Sequence, residues 1–412
     1  MSDDARARQR TGTGLGLLLA LVLTAVLLTA LPEEGEHRGG GRCTPHTVAS
    51  WQPAAELTGA FARYGDDGTR TDDWTGGDGT HSVRLPDGRV LWLFSDTFLG
   101  RVHAPPNPAG ESYAWRDGTA PLVRNSAVVM RDGRPERTLR APLFADPAPD
   151  QWRWPVAARV EPRSPGASEQ VLRVLLWVRT AGSAPWIYGV PTATEVATLS
   201  LPSLRVESVV NVLDQQLVAD PSRRVLFGTT LLTEGGFTYV FGGDDRQAAA
   251  GPVSHAYLAR VPEGRLADPA AWRYWTGSAW AGPSQGAQPA PVLGDGRRTG
   301  VGSAFSVVRT GGTYLLFTMA AGTEGLTTVT AYWACAPTGP WRGPTARYRV
   351  PLPDGGVAAY NPQTHPVLSD EGRLVLSYDV NWLETTGAAA QLSRNVALYR
   401  PRFVTLRPAP AR

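Results

Sequence analysis

Three features of the sequence predict an all-β protein made of repeated sheets. Gly and Pro together supply 80 of 412 residues, about 19%, against roughly 12% in average usage. After residue 50, short apolar runs alternate with Gly, Pro and Asp turns, and no long helix-period pattern interrupts them; runs bounded by turn residues in this way read as strands. The runs also recur as a unit: a short strand, a turn, a very apolar strand, then one or two weaker strands. Five such units fit a five-bladed β-propeller preceded by an N-terminal signal or anchor helix. Hydrophobic residues at 42% are enough to fill a core, which excludes wholesale disorder.

Each unit can be read in turn. The first opens near Gly79 with THSVRL, turns at PDG and runs into RVLWLFSDTF, with NSAVVM and TLRAPLF completing it. The second opens near Trp154 with WPVAARVEP, followed by VLRVLLWVRT, WIYGV and LRVESVVNV. The third opens near Arg224 with RVLFGTTLL, then FTYVFGGDD, HAYLARV and WRYWTG. The fourth, near Ser303, holds SAFSVV, TYLLFTM, TVTAYWAC and ARYRVPL. The fifth, near Asn361, holds only THPVLS, RLVLSYDVNW and NVALYRPRFVTL, so residues 52–64 are expected to donate its missing strand and close the ring. The second strand of each unit is almost continuously apolar, as a strand buried on both faces must be.

The N-terminus reads as an export element. Arg6, Arg8 and Arg10 precede an uncharged Leu-rich stretch from Gly14 to Leu31 that stops at Pro32. A positive flank before an apolar run marks export, and 18 residues (14–31) are just enough to span a bilayer. The nearest small-x-small site, Leu28-Thr29-Ala30, fits poorly at Leu28. The segment is therefore read as either a cleaved signal or an uncleaved anchor, with its Arg cluster on the cytoplasmic side. The expected organisation is residues 1–31 as signal or anchor, 32–50 as linker and 51–407 as propeller, at the cell surface or outside the cell. Two cysteines, Cys43 and Cys335, either pair in the oxidising exterior or remain as thiols.

Charge excludes little. All 40 basic residues are Arg, the 37 acidic residues nearly balance them, and no Arg-rich run supports a nucleic-acid partner. The protein is expected to be a monomer with no nucleic-acid partner.

Propeller topology says where chemistry would sit. Residues opening the first strand of a blade and closing the second converge on one mouth of the central channel. In the first unit this gathers Asp78, Gly79, Thr80 and His81 with Ser95, Asp96 and Thr97. Adjacent strands lie ~4.8 Å apart, so Asp78 and Asp96 fall within the ~5–9 Å range of a glycosidase carboxyl pair. The second unit adds Arg153, Trp154 and Arg179; the fifth adds Tyr360, Asn361, Gln363 and His365, with Asp379 and Asn381 returning. Carboxyls divide acid and base roles when their environments separate their pKa values. Amides and imidazoles bond hydroxyls, and Trp and Tyr stack on sugar faces. Each residue also has a plainer reading. Asp78 in GGDGT suits a turn, Asp96 a strand-end cap, and His365 a hydrogen-bonded core position. Asp244-Asp245 reads as solvated, and Trp272, Trp275 and Trp280 as packing at blade edges. No metal-ligand set is evident, which leaves a channel calcium as the one metal alternative to no cofactor.

These residues carry a resemblance. GGDGTHSVRLPDGRVLWLFSDTFLG resembles the opening blade of a family of exported bacterial five-bladed propellers, formerly a domain of unknown function. One branch of that family is the glycoside hydrolase family 183 endo-D-arabinanases. NSAVV from Asn125, YLARVPEG from Tyr257, WRYWTGSAW from Trp272, FSVV from Phe305, and YNPQTHPVLS from Tyr360 followed by LSYDVNW support it over most of residues 60–400. The resemblance implies a fold related to the furanosidase propellers, with Asp78 and Asp96 as the catalytic pair. It also departs from those relatives: WRWPVAAR opens the second unit, and no Glu opens the third, where they place their acid.

The leading expectation is an extracytoplasmic glycoside hydrolase-like protein acting on a cell-wall or environmental polysaccharide, with a D-arabinan indicated by the resemblance. Asp78 and Asp96 are its catalytic candidates, with Asp96 expected as the acid because it follows VLWLF. His81, Asn125, Trp154, Arg179, Tyr360, Asn361, Gln363, His365, Asp379 and Asn381 are its substrate-binding candidates. The partners are that polysaccharide and, if the segment is uncleaved, a membrane through residues 14–31. A non-catalytic glycan-binding propeller and a protein-interaction scaffold are the alternatives.

Overall fold

The computed structural model describes residues 43–411, apart from 247–250, 252, 321–325, 354–355, 371 and 383–386. The export segment, Gly14 to Leu31 with its Arg flank, lies outside the described residues, as does most of the stretch read as a linker.

The fold is mostly β. Five antiparallel sheets follow one another along the chain, and we number them I to V. Sheet I comprises His81–Arg84, Val90–Phe94, Ser126–Arg131 and Arg134–Thr138. Sheet II comprises Gln151–Pro162, Gln170–Thr180, Val190–Ser200 and Val206–Asp214. Sheet III begins with Val225–Glu234, Phe237–Asp244 and Ala256–Pro262 and ends in the short strands Arg273–Trp275 and Trp280–Ala281. Sheet IV comprises Phe305–Thr310, Thr313–Thr318, Thr328–Ala334 and Arg342–Arg349. Sheet V comprises Val357–Thr364, Leu374–Trp382 and Arg402–Pro410, and its outer strand is His46–Pro53 from the start of the described chain.

The second strands are as buried as their composition demands. Every residue of Val90–Phe94 is buried, and so is every residue of Gln170–Thr180 between Val171 and Arg179. Each successive pair of sheets encloses its own apolar cluster. Leu93 and Leu176 share the one between I and II; Leu175 and Phe227 the one between II and III; Phe241 and Phe305 the one between III and IV; Phe317 and Leu376 the one between IV and V. The fifth cluster joins V back to I through Phe403, Trp92 and Phe94. The order of packing therefore closes on itself.

Several expected strands fall elsewhere. The strand completing sheet V is His46–Pro53, which begins inside the stretch read as linker, whereas Ala55–Gly65 forms a helix, α1. Helix α1 buries Ala60, Phe61 and Tyr64 on one face, and Phe61 packs edge-on against Trp74, Trp92 and Phe94. A helical period of apolar residues beats strand propensity there. Of WIYGV, Trp186 to Gly189 lie in a loop, and Val190 opens the third strand of sheet II, the alternating VPTATEVATLS of Val190–Ser200. The fourth strand of sheet I is Arg134–Thr138 rather than TLRAPLF, and THPVLS is a single 3-10 turn at Pro366–Leu368. Between the second and third strands of sheet I, residues 97–123 form two small extra ladders, one of which pairs Thr97–Gly100 with Asp73–Gly77.

Cys43 and Cys335 form a disulfide. It fastens the segment before the His46–Pro53 strand to the end of the third strand of sheet IV, next to the edge that this strand completes.

Candidate functional site

The site is built on the turn that enters sheet I. Asp73–Gly77 leads into Asp78, and Gly79 takes a left-handed φ of +63° before the first strand of the sheet. No side chain fits there, because a Cβ on Gly79 would stand 2.2 Å from the Ser95 Oγ. The Asp78 backbone pairs across this turn: its N–H donates to the Asp96 carbonyl at 3.1 Å, and the Asp78 carbonyl accepts from the Ser95 N–H at 2.7 Å. Asp78 and Asp96 thus face each other from two bends, one between Asp73–Gly77 and His81–Arg84 and one between Val90–Phe94 and Thr97–Gly100.

Their side chains have different surroundings. Asp78 lines a cavity of about 340 Å³, and its Oδ2 accepts from the Tyr360 hydroxyl at 2.8 Å. Burial, then the Asp96 and Asp379 carboxylates, push its pKa well above the ordinary range. Asp96 does not line the cavity. Its Oδ1 accepts from Trp154 Nε1 at 2.8 Å, and its Oδ2 pairs with Arg124 at 3.1 Å. Burial raises its pKa too, but the Arg124 charge and the Trp154 N–H oppose the rise. Of the two, Asp78 faces the cavity and has its pKa pushed further up, whereas VLWLF pointed to Asp96 as the acid.

The other predicted residues fall into two groups. His81, Trp154, Arg179, Tyr360, Asn361 and Asn381 line the cavity with Asp78. Asn361 is placed there by a break in register between Tyr360 and Gln363, where its φ of +48° turns the strand; Asn tolerates that region better than most residues. Burial pushes the His81 imidazole down to about 3, so it is neutral at physiological pH.

Asn125, Gln363, His365 and Asp379 do not reach the cavity and are corrected to positions in the supporting structure. Asn125 is fully buried and ties together the Phe144 backbone and the Arg153 carbonyl. Gln363 donates to the Phe305 carbonyl. His365 is a core histidine held between Ser82 Oγ at 2.7 Å and Ser377 Oγ at 2.8 Å. The strand Val357–Thr364 carries Gln363 two residues past Asn361, and His365 lies just beyond the strand's end, so both are too far along the chain. Asp379 sits beneath the floor, where it joins sheet V to sheet I. It accepts from the Gly79 N–H at 2.8 Å, the Thr80 N–H at 3.4 Å, the Thr80 hydroxyl at 2.6 Å and Asn361 Nδ2 at 3.4 Å. Burial still raises its pKa to about 6.

Asp244 and Asp245 are corrected as well: both are buried, not solvated. Asp244 accepts from His255, Tyr257 and Arg246. Asp245 lines the cavity, paired with the buried Arg179 guanidinium and accepting from Ser303 Oγ at 2.8 Å. Trp272 is core, and Trp275 and Trp280 pack on each other at the outer edge of sheet III.

Sequence reasoning missed Arg124, Tyr188, Trp177 and Tyr399. Arg124 stands just before NSAVV, a signal that was available. Tyr188 lay within a run read as a strand. Tyr399, buried beside Asp78, comes from a 3-10 turn that no periodicity marks. Two buried polar atoms on cavity residues, Arg179 Nε and Asn381 Oδ1, have no protein partner among the described residues. The wall is otherwise apolar through Trp154, Val156, Trp177, Tyr188, Met319 and Leu326. A hydrogen-bonding floor under apolar walls suits a ligand with hydroxyl groups and apolar faces.

No protein of curated function matches the sequence. Among solved structures, a Bacteroides ovatus protein whose hydrolase assignment is itself provisional is 17% identical, with a TM-score of 0.64 over 86% of this chain and 90% of its own. This likeness is one of fold. The α-L-arabinofuranosidase of Podospora anserina is 12% identical, with a TM-score of 0.46 over 82% of this chain and 97% of its own. The GH62 α-L-arabinofuranosidase of Coprinopsis cinerea is 13% identical, with a TM-score of 0.47 over 83% and 93%. The family model for a domain of unknown function, DUF5005, matches residues 62–408, well over half of the chain, and the chain belongs to the DUF5005 family.

Proposed function

We propose that the protein is an extracytoplasmic glycoside hydrolase-like propeller whose five sheets are its blades and whose substrate is a polysaccharide, a D-arabinan first among them. The observation that carries this reading is Asp78. It presents a carboxyl of raised pKa to a cavity with hydroxyl-binding groups on its floor and aromatic side chains on its wall. In this reading Asp78 protonates the leaving oxygen. Asp96 stays ionised beside Arg124 and either activates water or attacks the sugar. Tyr360 holds the Asp78 carboxyl in place. No step calls for a cofactor. The apolar segment Gly14 to Leu31 would deliver the domain across the membrane, and the Cys43–Cys335 disulfide fits an oxidising exterior.

A second reading, glycan binding without cleavage, is favoured by one observation. Arg124 and Trp154 engage both oxygens of Asp96, which leaves Asp78 the freer member of the pair. Reducing-end release from a panel of polysaccharides, D-arabinan and whole actinobacterial wall included, separates the two. Release by the full-length protein, with loss in Asp78→Asn and Asp96→Asn, supports hydrolysis. Retention on the same polysaccharides without release supports binding.

A further inference from the structure

The loop between the second and third strands of sheet II, residues 181–189, ends on apolar side chains in water. Ile187 is 55% exposed and Tyr188 51%, and they are neighbours in sequence. Single exposed apolar residues need no explanation, but the position of this pair does. Tyr188 lines the cavity that holds Asp78. It is near enough for the Asp78 carboxylate to add to burial in raising its phenol.

The base of the loop is built rather than slack. Gly189 has a φ of +87° and is packed so closely that a Cβ would lie 2.4 Å from the Trp152 ring. Its carbonyl accepts from the buried Arg179 at 2.9 Å, and its N–H donates to the Trp186 carbonyl at 2.9 Å. Thus Arg179, which lines the cavity, also fixes the residue after Tyr188. An aromatic ring half in water, on a fixed base, at the wall of a hydroxyl-binding cavity presents a flat apolar face to a ligand.

The charge around the cavity limits what that ligand can carry. Asp78 and Asp245 line it, and Asp96 and Asp379 stand directly behind Asp78. Among the described residues the one cation on the wall, Arg179, is already neutralised by Asp245. An acidic sugar would find no free counter-charge among the described lining residues to offset its desolvation.

We propose that Tyr188 is the aromatic platform of a subsite beside Asp78 and stacks an uncharged sugar ring of the bound glycan. This rests on the glycan-acting reading above and adds its substrate class and a specificity-determining residue.

The test is titration of the full-length protein, followed by its tryptophan fluorescence, with neutral arabinan and xylan oligosaccharides and with an oligogalacturonate. The parent is compared with Tyr188→Leu, which keeps apolar area but loses the ring face, and with Tyr188→Phe, which keeps it. Thermal unfolding is run on each variant, and the exposed position predicts unchanged midpoints. The expected result is neutral-oligosaccharide binding weakened about five- to tenfold in Tyr188→Leu, the equivalent of one aromatic contact, and retained in Tyr188→Phe. Where turnover is measured, KM rises while kcat holds. If the parent binds a neutral oligosaccharide and Tyr188→Leu binds it equally, the platform is refuted and the glycan reading survives. Tighter binding of the oligogalacturonate refutes the uncharged class. If no oligosaccharide binds the parent, both readings fall.

Discussion

Asp379 has four hydrogen-bond donors and still carries a pKa raised to about 6, because burial outweighs them. A carboxyl with a higher pKa folded than unfolded stabilises the fold fully below its unfolded value of 3.8, and that contribution is lost as pH rises through about 6. At ~1.4 kcal/mol per pH unit the interval is worth about 3 kcal/mol. Asp78 works in the same direction. Urea unfolding is therefore expected to give a smaller stability difference between pH 4.5 and pH 7.5 for Asp379→Asn than for the parent; equal differences would contradict the assignment. Arg124 acts in the opposite sense on Asp96, favouring its charged form. If Asp96 must be ionised for turnover, Arg124→Gln moves the acid limb of the pH–rate profile to higher pH, and an unmoved limb removes Asp96 from that role. The chain order already sets Asp78 and Asp96 beside each other, because the bend before the first strand of a sheet pairs with the bend after its second. Which of them faces the cavity was not legible, because that depends on Arg124, Trp154 and Tyr360, which come from three different stretches of sequence.

The strands that were legible are those whose composition admits one reading. RVLWLF, VLRVLLWVRT and TYLLFTM are long apolar runs between turns, and each forms the second strand of its sheet. Weakly patterned outer strands were misplaced, because an edge strand need satisfy only one neighbour and carries little apolar signal. The same ambiguity hid the closing element. The His46–Pro53 strand is held to Arg402–Pro410 by a ladder broken once, between Val48 and Ser50. Ahead of it, the Cys43–Cys335 disulfide spans 292 residues. A crosslink over so long a loop restricts the unfolded chain strongly, and native disulfides are typically worth about 2–4 kcal/mol. Reduction, or Cys43→Ser with Cys335→Ser, is expected to lower unfolding stability by that order in denaturant titration. Unchanged stability would mean that the strand closes sheet V without help from the crosslink.

At the scale of the whole molecule, five sheets with five apolar clusters between them put residues from sheets I, II and V, and from the segments that flank III and IV, around one cavity. A repeat read along the chain was enough to anticipate this, because strand openings and returns gather at the same end. The depth at which a side chain leaves that end was not legible. Gln363 lies too far along its strand and His365 just past the strand's end, while Asn361 is redirected by a local break in register. The central claim is that the cavity around Asp78 cleaves a glycan. The measurement that tests it most directly is reducing-end release from D-arabinan and whole actinobacterial wall by the full-length protein beside Asp78→Asn, each checked for native unfolding behaviour. The account predicts release by the parent and a loss of about 100-fold or more in the variant, the scale of a positioned proton donor. Equal release by both would place the chemistry elsewhere, and no release by a folded parent would contradict cleavage.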